Sequence, residues 1–154
     1  SENISMLRSI PELINNTFED MNRQKLDEMM RDKPIKSNNW YIAFDDSPNS
    51  VCAMEIRIKY SEGCYQSLPY IPLTDLSELC VQSSFIIMIT NKKISTIWDN
   101  LKPLIDRDNR LIVITSSPLE KTDQKMYLNN NHLLSVIKIP DASQIGRASC
   151  RERV

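Results

Sequence analysis

Residues 83 to 117, SSFIIMITNKKISTIWDNLKPLIDRDNRLIVITSS, read as strand, helix and strand with almost no chain between them. Phe85 to Ile89 is an unbroken apolar run, the pattern of a central strand buried on both faces. Ile94, Ile97, Trp98, Leu101, Leu104 and Ile105 then fall at i, i+3, i+4, i+7, i+10 and i+11, which is one face of a helix. Pro103 removes one amide donor and should bend the last turn. Asp106 to Asn109 is a polar turn, and Leu111 to Thr115 a second apolar strand. Loops this short force the helix back onto the strands, so the chain must build a layered α/β domain.

The flanking chain supplies further elements. Ser9 caps, Pro11 fits a first turn, and Glu12 stands at the capping-box position. Ile10, Leu13, Ile14, Phe18 and Met21 follow at helical spacing, continued by Leu26, Met29 and Met30 up to Pro34. One amphipathic helix over 10–32 is predicted. It either packs on its own domain or presents Ile14, Phe18 and Met21 to a protein partner. Trp40 to Phe44 is rich in strand formers, and 45–50 has turn composition. Met54, Ile56, Ile58 and Tyr60 alternate with Glu55, Arg57 and Lys59, which predicts a half-buried strand pairing with 40–44 as a hairpin. Gly63, Pro69 and Pro72 break any long helix over 61–72. Thr74 can cap a short helix over 75–79, and strands are predicted at 126–128 and 133–139. Together these give an α+β fold, a ferredoxin-like two-layer sandwich with an added N-terminal amphipathic helix. In it, 54–60 lies between 85–89 and 111–115. The domain division is a helical appendage at 1–36, the α/β domain at 37–140, and a disordered tail at 141–154.

Within that tail, IGRASCRERV at 145–154 matches the translation of a sequencing adapter and is expected to be an artefact; the alternative is a natural basic tail. The 154-residue chain carries a net charge of −1, which becomes −3 without that decapeptide. Setting it aside also leaves Cys52, Cys64 and Cys80, and a single glycine, Gly63. Three cysteines without paired short spacing give neither a disulfide framework nor a zinc pattern, and read as small buried hydrophobes in a reducing, cytoplasmic setting. No apolar run approaches the roughly 20 residues of a membrane span. The mild acidity argues against broad nucleic-acid affinity but leaves room for a local basic patch.

Residues that could carry chemistry are few. His132, the only histidine, has no cysteine or carboxylate cluster at ligand spacing and reads as an exposed or core-edge structural residue or, alternatively, as a catalytic or metal-binding one. Nucleophile elbows, glycine-rich phosphate loops and zinc motifs are absent from the sequence. Asp45 and Asp46 follow the first strand, where carboxylates can hold a magnesium ion for phosphodiester cleavage, although turn composition alone would also place them there. Asp106 and Asp108 read as turn residues. Lys92, Lys93 and Lys102 form either a small nucleic-acid-binding patch or a solvated helix face.

Val81-Gln82-Ser83-Ser84, the strand, Thr90-Asn91-Lys92, the helix ending Leu101-Lys102-Pro103-Leu104-Ile105-Asp106, and Leu111-Ile112-Val113 together resemble the Cas-two family of CRISPR adaptation proteins and its SinR-type relatives. The resemblance spans residues 81–115. It implies a ferredoxin-like homodimer paired through sheet edges, with 133–139 as the edge strand, acting in defence or nucleic-acid handling. It also implies a metal-binding aspartate after the first strand. If that strand is 40–44, the aspartate is Asp45. If it is 54–60, Ser61 stands there, and the metal site is lost. The expected function is therefore a Cas-two-like dimer without robust catalysis and without a cofactor, magnesium entering only if the chain is a nuclease. The alternative is a non-enzymatic interaction module that uses the Met-rich N-terminal helix.

Overall fold

The computed structural model describes residues 39–79, 81–123 and 133–139, together with Pro11, Glu12, Asn15 and Lys125. Its elements run β1 (Trp40–Phe44), α1 (Ser47–Cys64), β2 (Tyr70–Pro72), α2 (Leu73–Glu78), β3 (Phe85–Thr90), α3 (Ile94–Asp106), β4 (Arg110–Thr115) and β5 (Leu134–Lys138). The strands form one sheet in the order β2-β1-β3-β4-β5. All four pairings are parallel.

The strand–helix–strand unit forms as its apolar spacing requires. In β3 all residues but Ile87 are buried, and β3 lies in the middle of the sheet. In α3, Ile94, Ile97, Leu101, Leu104 and Ile105 are buried, whereas Trp98 is only half-buried at the border of the same core. The chain does mix helices and strands in layers, but the arrangement differs from a ferredoxin-like sandwich, whose sheet is mostly antiparallel. No strand lies between β3 and β4. They pair directly, with Phe85 opposite Arg110 and Thr90 opposite Thr115.

The displaced strand explains the difference. Residues 54–60, expected as a strand in a hairpin with 40–44, belong to the 18-residue helix α1. The segment 45–50 is not a hairpin turn but the start of that helix. Asp46 caps it by accepting from the Asn49 amide at 3.2 Å, with Pro48 in the first turn. The buried face of α1 is Asn49, Ala53, Ile56 and Tyr60 at i, i+4, i+7 and i+11. Met54 and Ile58, which seemed to share a strand face with Ile56, point to solvent, as does Val51. Tyr65 closes α1 in the left-handed region, with φ 55°.

The crossover from β1 through α1 leads to the edge strand β2, in the stretch 61–72 where a long helix was excluded; α1 runs past Gly63 and stops at Cys64. Helix α2 starts at Leu73 after Pro72. Thr74 does not cap it, and its hydroxyl bonds to Asp75 instead. The two sheet faces are covered from opposite sides. Helices α2 and α3 pack on Ala43, Ile86, Met88, Leu111, Val113 and Leu134. Helix α1 packs on Ile42 and Ile89 with Trp40 and Phe44. The domain is thus a doubly wound α/β sandwich.

At the N-terminal ends of the strands, Asn109 is fully buried. Its Nδ2 donates to the Leu104 and Val81 carbonyls at 2.7 and 2.9 Å, and its Oδ1 accepts from the Ser84 amide at 3.0 Å. The expected turn at 106–109 forms at Arg107 and Asp108, with buried Asn109 closing its inner side, while α3 itself continues through Asp106. Cys52 and Cys64 are exposed free thiols on α1, not the buried hydrophobes expected, because their helix turns them away from the sheet. Cys80, the predicted strand at 126–128, the tail from 140 onward and nearly all of the predicted helix 10–32 lie outside the described residues. No helix among the described residues is long and apolar enough to cross a membrane.

Candidate functional site

The strand order reverses at β1. The chain leaves β1 toward β2 on one side and returns to place β3 on the other. Connections leaving the C-terminal ends of β1 and β3 therefore diverge onto opposite faces, the place where open parallel sheets form their ligand crevice. The residues at these ends, and at the end of β4 beside them, are Asp45, Asp46, Thr90, Asn91, Lys92, Thr115, Ser116 and Ser117.

Hydrogen bonds join them across three strands. Both oxygens of the Asp45 carboxylate are engaged. Oδ2 accepts from the Thr90 hydroxyl at 2.5 Å, and Oδ1 accepts from Asn49 Nδ2 at 2.7 Å. Thr90 Oγ1 in turn accepts from the Lys92 amide at 2.9 Å, which fixes the turn out of β3. Ser116 Oγ donates to Asn91 Oδ1 at 3.2 Å, and the Ser117 amide donates to Thr115 Oγ1 at 3.0 Å. Asp45 thus ties the end of β1 to β3 and to the first turn of α1. Asp46, one residue on, is spent on the α1 cap.

The first turn of α3 borders the same end of the sheet. Its amides carry the positive end of the helix dipole, but an internal anion already meets them. Fully buried Asp123 accepts from the Ser95 amide at 2.7 Å and from the Glu120 amide at 3.0 Å. Lys93 precedes this turn and pairs with Glu120 at 2.5 Å. The hydrogen bond to Glu120, and then its charge, raise the Lys93 pKa above the ordinary lysine value. Lys92 is exposed, and its ammonium meets no partner among the described residues.

The sequence candidates thus separate. Asp45, Asp46 and Lys92 come together at the crevice. Lys93 is neighbouring but paired. Lys102 lies eight residues beyond the start of α3, bound to Asp106 at 2.5 Å, so the three lysines do not form one patch. Among the described residues no group of three or more His, Cys, Asp or Glu side chains could hold a metal ion. His132, Ile14, Phe18 and Met21 lie outside the described residues. Ser116, Ser117 and Asp123 were not singled out from sequence, and Thr90 and Asn91 entered only through the family resemblance, not as site residues. The available signal was the polar run that closes each of the apolar strands 40–44, 85–89 and 111–115, and its meaning depends on the strands being parallel.

No protein-family model matches the sequence, and no curated protein matches it. Among solved structures, the chain is similar to the C-terminal domain of glucosamine-fructose-6-phosphate aminotransferase from Francisella tularensis, with a TM-score of 0.50 and 15% sequence identity. The match covers 93% of this chain and 37% of that one, so the chain spans well under half the length of this structural neighbour. At that identity the likeness is one of fold.

Proposed function

We propose that the crevice at the ends of β1, β3 and β4 binds a phosphorylated sugar, and that the domain holds this ligand rather than converting it. The observation that carries the reading is the switch point itself, where the Asp45–Thr90 and Asn91–Ser116 bonds lie side by side at the strand ends, next to the Lys92 ammonium, which meets no partner among the described residues. Alternating hydroxyl, amide and carboxylate groups match a polyol, which presents donors and acceptors at short intervals. Lys92 supplies the charge for a phosphate. The name of the similar aminotransferase domain carries the same ligand class. In this reading Asp45 is an anchored acceptor: Thr90 and Asn49 fix its two oxygens, and the lone pairs left on them can accept from a sugar hydroxyl.

Isothermal titration with fructose 6-phosphate and glucosamine 6-phosphate, against the unphosphorylated sugars, tests this. Binding is expected only with the phosphate present, and Lys92→Ala should weaken it about tenfold, or about 1.4 kcal/mol. Equal heats for phosphorylated and plain sugars, or none with either, would contradict the reading.

A second reading is the Cas-two-like defence protein, favoured by the position of Asp45 at the end of β1. It requires a homodimer in which two copies of Asp45 share a magnesium ion. The four parallel pairings count against the ferredoxin-like part of it. Magnesium-stimulated cleavage of DNA or RNA, abolished by Asp45→Ala with the circular dichroism unchanged, would establish it. The interaction-module alternative requires the face of Ile14, Phe18 and Met21 to be free for a partner.

A further inference from the structure

Of the described arginines, Arg107 donates to the Ser77 carbonyl at 2.9 Å, and Arg110 is also engaged. Arg57, on α1, is half-buried, yet it forms no hydrogen bond or ion pair among the described residues. Its guanidinium lies over the Tyr70 ring, 5.5 Å from the centroid. A guanidinium over a ring meets it through its face, so the N–H donors around its edge stay available. Arg57 borders a shallow depression of about 300 Å³ between the end of α1 and the start of β2, lined also by Ser67, Leu68, Pro69 and Tyr70. The Ser67 hydroxyl likewise has no hydrogen-bond partner among the described residues. The walls are held from behind. Leu68 is buried with Ile42, Ala53 and Ile89, the Pro69 carbonyl accepts from the Ile42 amide at 2.9 Å, and Tyr70 stacks on Phe44 with centroids 5.8 Å apart.

We propose that this depression binds a small carboxylic acid with an apolar body, its carboxylate on Arg57 and Ser67 and its body against Leu68, Pro69 and Tyr70. The planar fork of a guanidinium matches the two oxygens of a carboxylate, and a hydroxyl can donate to a remaining lone pair. Arg57 is the only charged side chain lining the depression, so an anion meets no repulsion there. Lys59, the next cation along α1, is already paired with Glu62 and Glu55. The other walls set the rest of the ligand. A sugar is unsuited, because its hydroxyls would face Leu68, Pro69 and Tyr70 without partners. An aromatic ring or a short alkyl chain buries apolar surface on them instead. The volume is at the lower end of ligand pockets, which restricts the site to small acids. Because the Tyr70 ring holds the guanidinium before any ligand arrives, little side-chain freedom is lost on binding. The inference does not rest on the sugar-phosphate reading, since none of these residues belongs to the crevice at the strand ends.

Titrating the isotopically labelled full chain with phenylacetate tests it. Saturable shifts are expected at the amides of Arg57, Ser67, Leu68 and Tyr70. Phenylacetamide, which keeps the ring and lacks the charge, should leave these amides in place, and so should fructose 6-phosphate. Arg57→Lys keeps the charge but not the fork, and should weaken phenylacetate binding about tenfold. Shifts that do not saturate, or equal shifts with phenylacetamide, would overturn the site, and both are read on the unaltered protein. Equal shifts with fructose 6-phosphate would overturn the choice of a carboxylate on an apolar body. Undiminished affinity in Arg57→Lys, with unchanged circular dichroism, would overturn the role of the guanidinium fork.

Discussion

On one face of the sheet, α2 and α3 cover β1, β3, β4 and β5 with a continuous apolar cluster, and α3 contributes a single unbroken stripe to it. On the other face, α1 covers mainly β1 and β3, and its apolar residues are split between a buried side and an exposed one. The first arrangement draws its stability from burial. The second holds its geometry with polar ties: the Asp46 cap, the Asn49 bridge and the Asp45–Thr90 bond. The candidate crevice lies at the end of the sheet that these polar ties define. Burial fixes where the layers sit, and the polar contacts at strand ends fix which side chains meet.

Truncations can break or sharpen this contrast. Leu101→Ala, at a fully buried site on the α3 face, should cost about 2–5 kcal/mol in urea unfolding. The matching change on the other face, Ile56→Ala at a half-buried site, should cost about 1–2 kcal/mol. Equal losses would remove the distinction between the faces. Asp46→Ala should cost about 1 kcal/mol through the lost cap. A neutral result there would mean that α1 is held by packing after all. Tyr65→Gly should raise stability by about 0.5 kcal/mol, since the left-handed backbone at φ 55° penalises a side chain more than glycine's unfolded-state freedom costs. The smallest effect concerns Lys93. Its raised pKa means that the pair with Glu120 stabilises the fold below the ordinary lysine value of 10.5, and that the contribution fades as pH rises through the higher folded value. The stability difference between wild type and Lys93→Met should therefore be small at pH 7 and vanish in strong alkali.

The same contrast decided what could be read from the residues. In α3 the sequence pattern and the burial pattern coincide, because one apolar stripe meets one core. In α1 two apolar sides, Ile56 and Tyr60 inward and Val51, Met54 and Ile58 outward, blur the helical period. They leave the alternation at 54, 56, 58 and 60 as the visible signal. The capping signal was present as Asp46-Ser47-Pro48-Asn49, but a hairpin turn uses the same residue types. With that strand misplaced, the sheet order could not be recovered, and neither could the crevice, whose members are distant in sequence. Asp45 was singled out, but Thr90, 45 positions away, becomes its partner only in a parallel β1–β3 pair.

Chemical-shift mapping of isotopically labelled protein, titrated with fructose 6-phosphate, most directly tests the proposal that the switch point is the binding site. The largest changes are expected at the amides of residues 45–46, 90–92 and 115–117, with Lys92→Ala suppressing them. Changes centred instead on the shallow surface around Arg57 and Tyr70, or at the opposite ends of the strands around Asn109, would contradict it.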